Sequence, residues 1–244
     1  MEAVITLLPG DGVGPDVTAS AHRVLEVIAD RHGHAFTYHE ELIGGAAIDA
    51  VGDPLPPATV ECCSASDAVL LGAVGGPKWS DPNAPIRPEQ GLLKLRSVLG
   101  VYANIRPLKI YPELAGASPL KPEILEGVDM LVIRELTGGI YFGKKTRTRT
   151  SASDLCEYSV VEIERIIRVA AKLAAERRGK LCSVDKANVL ETSRLWRDVT
   201  NRIMADEFPQ IELETLLVDA AAMHLLSRPA DFDVIVTENS LVTS

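Results

Sequence analysis

From Ser159 to Asn239 the sequence alternates helical patterns with short apolar runs, and this alternation constrains the fold more than any other feature. Ser159-Val-Val-Glu162 is a capping box, in which each side chain can satisfy the other residue's backbone N–H. Val160, Ile163, Ile167, Ala170 and Ala174 follow at helical spacing. Arg177 and Arg178 suit the negative end of the helix dipole, and Gly179 can end the helix. A strand is expected over 181–184, a helix over 190–208 stopped by Pro209, and a strand over 211–218. A short helix over 220–227 and a strand over 233–237 complete the series. Strand, helix, strand, helix, strand is an α/β layer. Lys186 and Asp219 fall just beyond strand ends, where open α/β sheets bind ligands.

The first hundred residues read similarly. A strand over 3–8 runs into the tight loop Pro9-Gly10-Asp11-Gly12-Val13-Gly14-Pro15. A helix follows over 16–31, with Val17, Ala21, Val24, Leu25 and Ile28 as its apolar face. The glycine spacing is not that of a dinucleotide fingerprint. A second strand is expected over 36–43 and the end of a short helix over 60–66. The continuous apolar run 68–74 predicts a strand buried on both faces. It opens into Gly75-Gly76-Pro77-Lys78-Trp79, where bare backbone, a cation and a flat ring could meet a ligand or simply form a surface turn. A proline-rich loop spans 81–88 and a helix 89–99, carrying Leu92, Leu93 and Arg96. An extended segment starts at 104–107, with Arg106.

Between these halves lies Val132-Ile-Arg-Glu-Leu-Thr-Gly-Gly-Ile-Tyr-Phe-Gly143. An apolar strand delivers Arg134 to its polar end, a glycine pair lets the chain turn hard, and Tyr141 follows. A guanidinium can grip a carboxylate through two parallel hydrogen bonds, and a phenol can hand over a proton. The same stretch also fits a plain strand end with a surface arginine and a packed tyrosine. Arg96, Arg106 and Arg134 end three separate elements; converging, they would hold a di- or tricarboxylate. Residues 143–153 are basic and aperiodic and read as an exposed loop or solvated arm.

Composition narrows the function. The 34 acidic against 25 basic side chains give a net charge of −9, which disfavours binding to nucleic acid. No apolar run approaches the roughly 20 residues that span a bilayer, and the first residues read as a strand rather than a signal peptide. The cytoplasm is the expected compartment. Four cysteines without a C-x-x-C pair and five histidines without H-x-x-x-H spacing argue against a zinc site or a disulfide framework.

Taken together, LLPGDGVGP, GAVGGPKW, GLLKLR with ANIRP, VIRELTGGIYFG, SVDKANVLETSRLWR and VDAAAMHL, in this order across residues 4–239, resemble the isocitrate/isopropylmalate dehydrogenase family of β-hydroxyacid oxidative decarboxylases. The resemblance implies an α/β two-domain fold, with a cofactor-side domain over 1–103 and a second domain with a dimerisation arm over 104–244. It implies NAD as cofactor, with the segment from Gly76, Pro77, Lys78 and Trp79 to Glu89 on the nicotinamide side and Asn188 near that ring. Arg96, Arg106 and Arg134 match the arginines that hold malate carboxylates, with Leu92 offering apolar surface to an isopropyl group. Tyr141 and Lys186 match the acid–base pair, and Asp219 a ligand of Mg²⁺ or Mn²⁺. In the family, the lysine and this aspartate reach into a partner subunit's site, so a homodimer is implied. The reaction expected is oxidative decarboxylation of 3-isopropylmalate in leucine biosynthesis, with tartrate or homoisocitrate as alternative substrates.

The sequence departs from the family after Asn239. Family members continue with a Phe-Gly-Asp-Ile-Leu-Ser-Asp type helix, whose aspartates complete the metal site, and later with a loop that grips adenosine; here Ser240 to Ser244 follow. One carboxylate cannot make a six-oxygen Mg²⁺ site. Two readings result: a fragment of an active dehydrogenase, or a short non-catalytic chain acting as a dimerisation partner or vestigial product. In either case the first domain should be incomplete, with bare sheet edges and an uncovered apolar face.

Overall fold

A computed structural model describes residues 1–81 and 83–239. Pro82, in the proline-rich loop, and the tail 240–244 lie outside the described residues. The chain divides into two compact units, Met1–Gly100 and Val101–Ser244.

The first unit runs β1 (Glu2–Gly10), α1 (Gly14–His32), β2 (Ala35–Glu40), α2 (Gly44–Val51), α3 (Pro57–Ala65), β3 (Ala68–Ala73) and α4 (Pro88–Leu99). Its three strands pair in parallel in the order β2-β1-β3. β3 is therefore an edge strand among the described residues. Its side chains are only half-buried, which corrects the expectation of two-sided burial. An apolar run alone cannot distinguish an edge from a centre. The helix α1 buries Gly14, Thr18 and Ala29. Of the expected apolar face, Ala21 and Leu25 are half-buried, while Val17, Val24 and Ile28 are exposed, so the face is only partly directed inward. The strand expected to reach residue 43 stops at Glu40, because Ile43 precedes the unanticipated helix α2. The core consists of Leu8, Ile43, Leu55, Cys63 and Leu95.

The second unit runs β4 (Ala103–Lys109), α5 (Pro122–Leu125), β5 (Asp129–Glu135), β6 (Lys145–Arg147), β7 (Ala152–Asp154), α6 (Val160–Ala175), β8 (Lys180–Asp185), α7 (Glu191–Glu207), β9 (Glu212–Leu217), α8 (Val218–Ser227) and β10 (Val234–Thr237). Five strands form one sheet in the order β4-β5-β10-β8-β9, all parallel except β4. The two-residue period of the strands divides the apolar residues between its faces. Leu181, Val234 and Val236 pack under α6 and α7, while Cys182, Val184 and Ile235 meet Ala221 and Phe232. The capping box forms: Ser159 Oγ accepts from Glu162 N, and the Glu162 carboxylate accepts from Ser159 N at 2.7 Å. Of the expected stripe on α6, Val160 alone stays exposed; Ile166 and Ala171 join the buried face. The basic segment 143–153 is exposed but not a bare loop, since β6 and β7 pair as an antiparallel ribbon. Arg177 and Arg178 do more than face a dipole. Arg177 Nε and the Arg178 backbone N–H both donate to the buried carboxylate of Asp233.

Candidate active site

In the second unit, β5 carries Arg134 to the polar end of the sheet. Asn104 of β4 lies directly opposite, and Arg106, two residues along, shares that face. Arg106 Nε donates to Asn104 Oδ1 at 2.7 Å. The chain then turns back on the side chain of Glu135. This buried carboxylate accepts from the N–H groups of Thr137 at 3.1 Å and Gly138 at 2.7 Å, and from Arg165 Nη2 at 3.3 Å. The break after β5 is thus a fixed corner rather than a loose hinge. At Gly139 φ is +71°, and a Cβ there would lie 2.5 Å from the Tyr158 hydroxyl, so only glycine fits. The corner ends in a single 3₁₀ turn, Gly139–Tyr141, which sets the Tyr141 ring 5.5 Å from the Arg134 guanidinium. Tyr141 is 40% exposed. Arg106, Arg134 and Tyr141 are therefore brought together.

Lys186 and Asp219 are brought together as well, on another part of the sheet. Buried Asp185, the last residue of β8, accepts from Arg197 Nε at 2.8 Å and Nη2 at 2.7 Å, and from the Ala187 N–H at 3.0 Å. This fastens the strand end to α7 and shapes the turn that projects Lys186. The Lys186 ammonium donates to Asp219 Oδ2, in the first turn of α8. Asn188 is exposed on the same turn. Strand β10 lies between β5 and β8. The Arg134 and Lys186 positions are thus two strand spacings apart, about 10 Å. Within one chain, Tyr141 and Lys186 belong to separate clusters.

The remaining candidates lie in the first unit. The Gly75 N–H donates to Asp11 Oδ2 at 2.7 Å, and the Glu89 carboxylate lies close enough that a Cβ at Gly75 would meet it at 2.9 Å. Gly76 is extended, and Pro77–Trp79 forms one 3₁₀ turn. Lys78 is paired with Asp49 at 2.6 Å and lies over the Trp79 ring. That ring covers Gly45, where a Cβ would come within 2.5 Å of it. Lys78 and Trp79 thus tie the loop to α2 rather than standing free. Leu92 is half-buried, whereas Gly91 is buried against the backbone of Pro54 and offers no surface. Arg96 is half-buried in the last turn of α4.

Four positioning residues escape the sequence reading: Asp11, Glu135, Asp185 and Asn239. The Asp11 carboxylate accepts from Gly45 N, Ala46 N and Gly75 N, joining the first loop to α2 and the glycine pair. Asn239 links Arg134, Gly138 and Tyr158. The available signal is a short acid or amide at or just past a strand end, where a side chain can replace a backbone acceptor. Burial raises two neighbouring pKa values: it holds the Tyr158 phenol protonated, and it pushes the Glu238 carboxyl up to about 7.

Among the described residues, no three histidine, cysteine, aspartate or glutamate side chains are grouped to hold a metal ion. Asp219, with its side chain 71% exposed, is a single carboxylate already paired with Lys186. The residues described do not by themselves fit a Mg²⁺ or Mn²⁺ site. No helix among them is long and apolar enough to cross a membrane.

One α/β sheet thus presents an arginine pair, a tyrosine and a lysine, with Arg134 and Lys186 at or just past strand ends. Residues 4–241 match the family model for isocitrate/isopropylmalate dehydrogenase, and the chain belongs to that family. It is 53% identical over 243 residues to a 3-isopropylmalate dehydrogenase of Rhodopirellula baltica, covering 98% of this chain and 68% of that protein. It is 54% identical over 244 residues to one from Anaeromyxobacter dehalogenans, covering 98% and 69%. Among solved structures, isocitrate dehydrogenase from Methylococcus capsulatus superposes with a TM-score of 0.76 at 31% identity, over 98% of this chain and 67% of that one. The chain spans about two thirds of the length of these relatives.

Proposed function

We propose that this chain carries the substrate and acid–base residues of an NAD-dependent oxidative decarboxylase acting on a branched malate, 3-isopropylmalate. The observation that carries this reading is the cluster of Arg134 and Arg106 on one face of adjacent strands, with Tyr141 against the Arg134 guanidinium. Two guanidinium groups on one face of adjacent strands, Arg134 near the end of β5 and Arg106 mid-way along β4, suit the two carboxylates of a malate. The family names of the relatives support the same substrate class.

Each residue then has one task. Arg106 and Arg134 hold the carboxylates and orient the C2–C3 bond. The Lys186–Asp219 pair takes the C2 hydroxyl proton. Loss of CO₂ leaves the electron pair of the broken C3–carboxylate bond on an enolate, and the Tyr141 hydroxyl protonates C3. By likeness to the family, the Gly76–Glu89 segment of the first unit would take the nicotinamide side of NAD. When bound, NAD⁺ supplies the acceptor for the C2 hydride. No step is assigned to a divalent ion, because Asp219 alone does not fit one. Since Tyr141 and Lys186 stand in separate clusters, a complete site draws them from two copies, which favours a homodimer.

The isolation of Asp219 also supports a second reading, a chain that pairs with other copies without catalysing the reaction. NADH formation by the purified chain with 3-isopropylmalate, NAD⁺ and Mn²⁺, beside a Lys186→Ala control, separates the two. Turnover lost in the control supports the first. A folded protein without turnover supports the second. Turnover equal in both would refute the role of Lys186. Tartrate and homoisocitrate tested alongside decide the substrate.

A further inference from the structure

We infer that Asn239 is a positioning residue that fixes which edge of Arg134 a substrate carboxylate can use. This rests on the reading of Arg134 as a carboxylate-binding residue. Asn239 is 2% exposed and lies just beyond β10. Its side-chain oxygen accepts from Arg134 Nε at 3.1 Å, and its backbone oxygen from Arg134 Nη2 at 3.4 Å. Its side-chain amide donates to the Gly138 carbonyl at 2.8 Å, and its backbone N–H to the Tyr158 hydroxyl oxygen at 2.7 Å. The Gly138 donor bond fixes the amide's orientation, so its oxygen must face Arg134.

Nε and Nη2 are the two donors on the side edge of the guanidinium, and that edge is taken up by Asn239. The other two-donor edge, Nη1 with the second N–H of Nη2, is left for a ligand. Among the described residues nothing hydrogen-bonds to Nη1. A carboxylate must therefore approach Arg134 end-on, from the side of the two terminal nitrogens, and bind with two parallel bonds. The same amide grips Gly138, in the corner that carries Tyr141. One buried side chain thereby sets the spacing between the carboxylate grip and the proton donor. The neutrality of Asn239 matters too. An aspartate could still accept from Nε–H but would lose the donor to the Gly138 carbonyl and neutralise the charge that attracts the substrate.

The test is the ¹⁵N spectrum of arginine side chains in the whole chain, with the Arg134 Nε–H signal assigned by its loss in Arg134→Lys. In the free protein this signal should be slow to exchange with solvent. In Asn239→Ala it should move to the position of exposed arginines and exchange fast. Addition of 3-isopropylmalate should shift the Nη signals and leave Nε–H in place. Asn239→Asp, which keeps an acceptor for Nε–H but loses the donor to Gly138, should keep Nε–H protected and lose on the order of tenfold in 3-isopropylmalate affinity; unchanged affinity in the folded variant would overturn the role. A wild-type Nε–H that exchanges freely overturns the anchor. One that shifts with ligand as much as Nη overturns the end-on geometry. Protection without any response to 3-isopropylmalate overturns the carboxylate half, together with the proposed substrate, but not the anchor.

Discussion

Replacing Glu238 by glutamine should make the second unit more stable at neutral pH and remove a pH dependence from it. The Glu238 side chain is wholly buried. One carboxyl oxygen accepts from Ser193 Oγ at 2.5 Å, and the other has no partner among the described residues. Burial raises its pKa from 4.5 to about 7, the Ser193 bond offsets part of this, and the nearby charge of Asp185 adds to it. Below pH 4.5 the folded and unfolded chains both keep this proton, and the group costs nothing. Between 4.5 and 7 the unfolded chain releases it while the folded chain retains it, so stability falls as pH rises. Above about 7 the full penalty is present, about 3 kcal/mol at 1.36 kcal/mol per pH unit. Glutamine has nearly the shape of the protonated acid and never ionises. At pH 4 the variant should match the parent within about 1 kcal/mol, and at pH 8 it should exceed it by about 3 kcal/mol. Urea unfolding followed by the fluorescence of Trp196, in a Trp79→Phe background, reads the second unit alone. With a urea slope of about 1–3 kcal/mol per molar, the midpoint at pH 8 should rise by roughly 1–3 M. A difference between variant and parent that is the same at pH 4 and pH 8 would refute the reasoning, as would a variant less stable at pH 8.

Two further substitutions probe the loops that position the candidate residues. Asp11→Ala should remove the shared acceptor of three N–H groups and cost about 3–5 kcal/mol in the first unit. Hydrogen exchange should accelerate at Gly45, Ala46 and Gly75, and unchanged protection there would show that Asp11 does not hold them. Gly139→Ala should cost about 2–4 kcal/mol, because it places a side chain in a left-handed position and against the Tyr158 hydroxyl. Thermal melting checks this, and an unshifted midpoint would mean that the corner after β5 can relax.

What the sequence discloses depends on how local the stabilising interaction is. Helix α6 is legible because its cap and its stripe are written within sixteen residues. Helix α2 is not, because Gly-Gly-Ala-Ala shows neither an amphipathic pattern nor a cap of its own. Its first N–H groups are held by Asp11, from a distant loop. Strand β3 is recognisable as a strand, but its burial depends on which strands flank it, and an apolar run is silent on that. The site divides in the same way. Arg134, Tyr141, Lys186 and Asp219 stand out by residue type beside strand ends. Asn239 acts through Arg134 and Gly138, which come near only when β5 and β10 pair, so no spacing announces it, whereas Glu135 closes a local turn onto Thr137 and Gly138. The pairing of Lys186 with Asp219 follows from the adjacency of β8 and β9, and the separation of that pair from Tyr141 follows from β10 lying between β5 and β8.

That separation yields a prediction about sharing between copies. Suppose that each complete site takes Tyr141 from one chain and Lys186 from its partner. Tyr141→Phe and Lys186→Ala chains should then each be inactive alone and complement one another when mixed. In a symmetric dimer the two sites are related by a two-fold axis. A hybrid of the two variants concentrates both lesions in one site and leaves the other intact. After equal mixing and subunit exchange, half of the dimers are hybrids, so about a quarter of all sites regain both groups. NADH formation with 3-isopropylmalate should recover to about a quarter of the parental rate per chain, and fall on dilution as dimers dissociate. If a site uses Tyr141 and Lys186 of the same chain, every site in the mixture keeps one lesion, and the rate stays at the sum of the two variants measured separately.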